Sequence, residues 1–287
     1  MAYTVFMPPI MGTRRARVLD RDQDLPLARC IVEQMPPKVT LAMLLFYREI
    51  SEWRVLLDSG LRPTLASRPS PGGGEFFSVP CADDRRQHNR YQERVFDTSV
   101  ECFRQAIPAD VEKRTEQIVA AAKLKAGDRV LDVGTGIGVL IPYIQRSGVR
   151  SIIGCDLSAA MLAEAQKRYP SVRLWCGDFI DIPREMGLFD VVFFNAVFGN
   201  MWNQRHALLS AAAHLTPTGR ILISHPMGAA FAEQLRAKDP KMVIHSLPSE
   251  KSTAELVRGL PLKIQRFSDQ ELLYLCILEH APITPSR

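Results

Sequence analysis

The stretch Val130–Leu140, VLDVGTGIGVL, decides the fold. Arg129–Val133 reads as a short apolar strand that runs into three alternating glycines, Gly134, Gly136 and Gly138. A helix is predicted directly after them, over Val139–Arg146. Glycine permits a sharp strand-to-helix turn and lets a ligand approach the backbone closely. The N-terminus of the following helix offers N–H groups with no partner inside the helix. Strand, glycine loop and helix in this order form a nucleotide-binding loop at the carboxyl edge of a parallel sheet. The spacing is G-x-G-x-G. The dinucleotide fingerprint G-x-G-x-x-G would need its third glycine at position 139, which is Val139.

Working outward, strands and helices alternate. Upstream, Asp110 is expected to cap a helix carrying Ile118, Val119 and Ala122 on one face, with Gly127 just past its end. Downstream, strands are predicted at Ser151–Asp156, Val172–Cys176, Phe189–Asn195 and Arg220–Ser224. Helices are predicted from Ser158 to Arg168, over Arg205–Leu215, and near Ala229–Lys238 and Ser249–Gly259. Strands separated by helices imply a parallel sheet covered on both faces. The closing runs Leu262–Phe267 and Leu272–Leu278 are joined by a turn too short for a crossover, so they must pair antiparallel.

Three acids stand at the ends of successive strands. Asp132 lies two residues before the first glycine, Asp156 ends the next strand in GCDLS, and Asp178 follows the third in CGDF. A carboxylate at Asp156 can accept both hydrogen bonds of a ribose diol. Asp178 can accept from an exocyclic amine while Phe179 or Leu157 covers the ring. Each acid alone could be a helix cap or a turn residue. Together they converge on the crevice where open α/β sheets bind ligands.

The rest of the chain sets limits. It has 287 residues, of which 46% are hydrophobic and 23% charged, with a net charge of +5. These are ordinary values for a globular protein and exclude a disordered or fibrous chain. The longest apolar run, Val39–Phe46, spans about 12 Å as a helix, far less than a bilayer core, so no transmembrane protein is expected. Lys and Arg are scattered without a basic block, so no nucleic-acid or membrane partner is indicated. None of the six cysteines stands in a C-x-x-C pair and the histidines lack ligand spacing, so no metal is expected. Cys155 and Cys176 fall in segments read as buried strands, as reduced core thiols.

Residues 1–80 read as an N-terminal extension and 81–287 as the α/β domain. The extension carries a breaker run, Arg68–Gly74 (RPSPGGG), read as a flexible linker, and one candidate helix over Val39–Leu57. Residues 1–19 hold three Arg and no acid, which leaves an organelle leader as the alternative to a cytoplasmic location.

From about Asp110 to Glu279 the sequence resembles the class I S-adenosylmethionine-dependent methyltransferases, with a small-molecule flavour similar to the ubiquinone/menaquinone group. The resemblance rests on VLDVGTGIGVL, GCDLS, CGDFIDIP, FDVVFFNAVFGNMW and HLTPTGRILISHP, in the family's order. Thr218 replaces the first glycine of the usual PGG turn. Asn195–Phe198 (NAVF) lacks the prolines of the N/D-P-P-Y/F motif that amino-methylating enzymes share, which argues against methylation of bases or glutamine.

The resemblance implies a Rossmann-like, doubly wound sheet of about seven strands in the order 3-2-1-4-5-7-6, with the last strand antiparallel. It implies S-adenosylmethionine as cofactor, held by Asp132, Gly134, Thr135, Gly136, Gly138, Asp156, Leu157, Met161, Asp178, Phe179 and Asn195. The expected reaction is methyl transfer to a small organic acceptor. A base is optional because the sulfonium carries its own leaving group; His206 and His225 are the candidates. The acceptor pocket is expected under a lid helix at Arg90–Arg104, with Tyr91, Val95, Phe96 and Phe103 as its apolar face, and from the segment after Pro226. An RNA- or protein-directed methyltransferase, a non-catalytic cofactor-binding protein and a nicotinamide oxidoreductase are the alternatives.

Overall fold

The computed structural model describes residues 82–281 and, ahead of them, two short strand pairs. The chain divides into two units, Met1–Ala82 and Asp83–Arg287. In the first, Tyr3–Thr4 pairs with Val18–Leu19, and Ala66–Pro69 pairs antiparallel with Glu75–Ser78. Arg68 and Pro69, expected in a linker, thus lie on a strand opposite Phe76 and Glu75. The helix expected at Val39–Leu57 and the possible leader lie outside the described residues.

The second unit opens with helices α1 (Ala82–Thr98), α2 (Val100–Arg104) and α3 (Ala109–Ala121). Then follow β1 (Arg129–Val133), α4 (Ile141–Arg146), β2 (Ser151–Asp156), α5 (Ala159–Arg168), β3 (Arg173–Cys176) and β4 (Phe189–Asn195). The chain continues through α6 (Gln204–Ala213), β5 (Leu215–His225), α7 (Gly228–Lys238), α8 (Glu250–Val257), β6 (Leu262–Gln270) and β7 (Leu273–His280).

The strands form one seven-stranded sheet in the order β3-β2-β1-β4-β5-β7-β6. β1 to β5 run parallel, and β7 enters antiparallel between β5 and β6. The central strands are apolar without alternation because both faces are covered. On one face Val130, Ile152, Val191, Phe193 and Leu222 pack with Ile118 of α3 and Ile141 and Ile144 of α4. The intervening residues Leu131, Ile153, Val192, Phe194 and Ile223 point the other way and are equally buried.

Several local expectations are corrected. α3 starts one residue before Asp110, with Pro108 at the cap position; Asp110 instead pairs with Arg114 at 2.9 Å on the same helix. Its C-terminus is not closed by Gly127. Lys123 takes a left-handed φ of 49°, and the guanidinium of Arg220 bonds the carbonyls of Ala122 and Lys123. A side chain about a hundred residues away thus does what the local glycine was expected to do. β5 reaches back to Leu215, but Pro217 has no N–H to give the ladder, and pairing skips from Phe189–Leu215 to Val191–Arg220. Cys176, expected inside, is exposed because β3 is an edge strand with β2 as its sheet neighbour. The predicted Arg90–Arg104 helix is two elements, and the first begins eight residues earlier than expected, at Ala82.

Candidate functional site

The carboxyl ends of β1, β2, β3 and β4 open into a cavity of about 260 Å³ that α1 and Phe103 of α2 help to line. Its floor is the glycine loop. The three glycines answer three different constraints. Gly134 (φ +66°) leaves no room for a side chain, since a Cβ would meet Cγ2 of Val197 at 2.5 Å. At Gly138 (φ +86°) a Cβ would meet the Tyr169 ring at 2.7 Å. At Gly136 (φ +54°) a Cβ would meet nothing within 4 Å, and the residue lines the cavity. The middle glycine alone keeps ligand space open.

The loop is tied to β2. Thr135 donates its N–H to the Cys155 carbonyl at 3.0 Å. Gly136 donates its N–H to Oδ2 of Asp156, and Ser158 donates to Oδ1, both at 2.9 Å. The N-cap expected at Ser158 is present, its Oγ accepting from Met161 N, and Ser158 in turn donates to Asp97 of α1 at 2.6 Å. Asp132 lies below the loop, buried, and accepts from Thr135 Oγ1 at 2.7 Å. Desolvation pushes the Asp132 carboxyl up to about 7, against the pull of the Thr135 hydroxyl, and nearby Asp156 adds to the rise. Burial also raises Asp156, opposed by the N–H groups it accepts. Asp178 accepts from Arg85 Nε and Asn89 Nδ2, each at 2.8 Å, and from Ile180 N at 3.1 Å.

Of the residues the sequence picked out, Asp132, Gly134, Thr135, Gly136, Asp156, Leu157, Met161, Asp178, Phe179 and Asn195 all line this one cavity. Gly138 does not; it serves packing against Tyr169 and Ile141. His206 and His225 do not line it either. His225 is buried and His206 half-buried; desolvation lowers both to about 4, His206 also feeling Arg85. Nδ1 of His225 accepts from Met227 N at 3.2 Å, and its ring packs on Phe231.

The histidine that does line the cavity is His88 of α1, missed because the helix was expected to begin at Arg90. His88, Gln92 and Phe96 stand at i, i+4 and i+8, one stripe of a helix, which is the signal that could have found them. Nε2 of His88 lies 2.8 Å from the Asn200 carbonyl, and its ring is 5.6 Å from that of Trp202. Gln92 donates to the Met242 carbonyl at 2.6 Å and accepts from Asn200 Nδ2 at 3.1 Å. Tyr91, expected on the apolar face, points its hydroxyl to Asp239 at 2.6 Å. Ala196, at the end of β4, takes φ +55°, and this strained residue also lines the cavity. Among the described residues no helix is long and apolar enough to cross a membrane.

Comparison with known proteins agrees with this arrangement. Residues 130–219 match a family described as "Methyltransferase domain". The chain is 32% identical over 101 residues to the demethylmenaquinone methyltransferase of Beutenbergia cavernae, covering 35% of this chain and 41% of that one. It is 34% identical over 112 residues to the trans-aconitate 2-methyltransferase of Methylobacterium nodulans, covering 38% and 42%. The chain thus spans about two fifths of the length of these relatives. Among solved structures, a methyltransferase in complex with the Trm112 activator from Haloferax volcanii superposes with TM-score 0.55 at 19% identity, over 65% of this chain and 98% of that one. A chain solved as a DhpI–SAH complex gives TM-score 0.55 at 13% identity, over 69% and 98%. At these identities the structures speak for the fold. Residues 130–219 thus carry a methyltransferase domain, set in a seven-stranded sheet whose fold is that of the two solved structures.

Proposed function

We propose that the chain transfers the methyl group of S-adenosylmethionine to a small organic acceptor. The observation that carries this is Asp156. Its carboxylate ends β2 on the cavity wall, and each oxygen is held by one backbone N–H. Each keeps lone-pair capacity for one hydroxyl of a ribose diol. In this reading Asp178 and Phe179, which line the cavity further along the sheet edge, take the adenine, with Leu157 and Met161 as apolar walls. Gly136 and Asp132 lie where the amino-acid portion would pass. The charge balance suits the ligand: Asp132 and Asp156 are acids at the floor of a partly buried site, and S-adenosylmethionine is a net cation.

When bound, the cofactor supplies an electrophilic methyl group on sulfur. The protein's part is to hold it against the acceptor and keep the site dry. The β1 and β2 ends grip one side. Val197, Met201 and Trp202, which follow β4, and Phe96 and Phe103 of α1 and α2 form an apolar wall for the acceptor. The two relatives compared above are named for small-molecule acceptors, which supports a small-molecule acceptor here. The test is incubation of the full chain with methyl-labelled S-adenosylmethionine and a metabolite extract, alongside calorimetry with S-adenosylmethionine and NADH. Label in a small organic product with binding of S-adenosylmethionine only supports the reading. Label in RNA or protein, binding without turnover, or binding of NADH would select one of the alternatives.

A further inference from the structure

Resting on the methyltransferase reading, we propose that the acceptor is an uncharged molecule with an apolar ring face and a hydroxyl that hydrogen-bonds His88, and that carboxylates and phosphates are excluded. The first observation is the charge inventory. Among the described residues that line the cavity there is no Lys or Arg, whereas Asp132, Asp156 and Asp178 are present. The nearby cations are committed: Arg85 contacts Asp178 and Asp181, and Arg114 contacts Asp110 and the Pro226 carbonyl. S-adenosylmethionine carries one net positive charge. Asp156 alone matches it, and Asp132, when ionised, exceeds it. Among the described residues no lining cation is left to neutralise an anionic acceptor, and a buried anion without a partner is strongly disfavoured.

The second observation is the wall. Phe96 and Phe103 have ring centroids 6.1 Å apart, and Met201, Trp202 and Val197 complete an apolar surface. Aromatic and thioether side chains of this kind suit a flat ring. The third is the tautomer of His88. Its Nε2 contacts a carbonyl oxygen, which can only accept, so Nε2 carries the proton. Burial lowers the His88 pKa, so the ring is neutral at physiological pH, and Nδ1 is left as a hydrogen-bond acceptor on a ring that lines the cavity. In the transfer, the acceptor oxygen exchanges its bond to hydrogen for a bond to the methyl carbon. The carbon–sulfur electron pair stays on sulfur. The proton passes to Nδ1 of His88 and from there to water.

The test uses the full chain loaded with S-adenosylhomocysteine and three probes sharing one ring system: 1-naphthol, 1-naphthoate and 1-methoxynaphthalene. Calorimetry should show 1-naphthol binding about tenfold or more tighter than 1-naphthoate. His88→Gln can retain a donor to the Asn200 carbonyl but removes the Nδ1 acceptor. It should weaken 1-naphthol about five- to tenfold and leave 1-methoxynaphthalene, which has no hydrogen to donate, unaffected. Phe103→Arg, which adds the missing cation, should raise 1-naphthoate affinity about tenfold. The proposal is overturned if 1-naphthoate binds the wild type as tightly as 1-naphthol, or if 1-naphthol fails to bind the loaded protein. It is overturned as well if His88→Gln weakens both neutral probes equally. Failure of the wild type to bind S-adenosylhomocysteine at all would overturn the methyltransferase reading, and this proposal with it.

Discussion

The backbone N–H of Gly136 and the carboxylate of Asp156 are 2.9 Å apart, so the loop after β1 and the acid after β2 form one unit. The carboxylate is part of the floor as well as a ligand group. Asp156→Ala should lower S-adenosylmethionine affinity about 10- to 150-fold, or roughly 1.5–3 kcal/mol. It should also lower the unliganded melting temperature, because Gly136 N and Ser158 N both lose their acceptor. Calorimetry and a thermal scan measure the two effects separately. Unchanged binding would remove Asp156 from the ribose site.

Gly134 and Gly136 should fail in opposite ways. Gly134→Ala drives a Cβ into Val197 and keeps a φ of +66°, so it should destabilise the free protein by about 1–3 kcal/mol. Gly136→Val meets open space, so its free protein should melt much closer to the wild type, less the cost of its φ of +54°. The ligand-induced shift should vanish, because the side chain fills the space the ligand needs. A Gly136→Val protein that melts far lower yet keeps the full shift would make this glycine a turn residue only.

Asp132 makes both binding and stability depend on pH. Its folded pKa, about 7, lies above the ordinary carboxyl value of 3.8. Between those values the folded state holds a proton that the unfolded state has lost. Stability from this group therefore falls as pH rises from about 4 to 7 and levels off above. Binding of a cation runs the other way. Affinity should rise by up to about tenfold per pH unit below 7, with proton release, and flatten above it. Calorimetry in buffers of different ionisation enthalpy counts that proton. Asp132→Asn should abolish both dependences.

Asp97 supports the site without lining it. Its Oδ1 accepts from Ser158 Oγ at 2.6 Å and Ala160 N at 3.2 Å, joining α1 to the start of α5 beside Asp156. Asp97→Ala should weaken S-adenosylmethionine binding about three- to tenfold. Equilibrium dialysis with labelled cofactor measures this; a loss as large as that of Asp156→Ala would make Asp97 a direct ligand.

We propose that residues 1–80 are separable from the cofactor site, since the glycine loop and the acids after β1, β2 and β3 all lie beyond Arg129. Deleting them should leave S-adenosylmethionine affinity within a few fold. A truncated protein that is folded but cannot bind would make the extension part of the pocket.

The sheet was legible because parallel strands buried on both faces leave continuous apolar runs, such as the VVFF of β4 between Asp190 and Asn195. The glycine loop and the acids after β1, β2 and β3 were legible because short motifs fix them locally. What escaped depended on distant partners. The end of α3 is closed by Arg220, a residue no local pattern links to it. The start of α1 escaped because Ala82–Asn89 is polar and carries no apolar stripe; it is held by Asp178, Asn200 and neighbouring groups far along the chain. His206 was expected in the helix after β4 and His225 at the end of β5, but the sequence could not tell which way their rings turn.

The way α1 is fastened has a kinetic consequence. Its buried residues, His88 and Gln92, are polar, and it is held by hydrogen bonds and ion pairs to Asp178, Asn200, Asp239, Met242 and Ser158. Such bonds exchange for bonds to water at small net cost, whereas withdrawing Ile118 or Ile144 would expose core hydrocarbon. The helix over the cavity can therefore detach while the sheet stays intact. Its amide protons should exchange with solvent by local opening, far faster than those of β1 and β4, and slow when the cavity is filled. Ligand entry and release are then governed by the breaking of a few polar bonds, independently of the global stability of the domain.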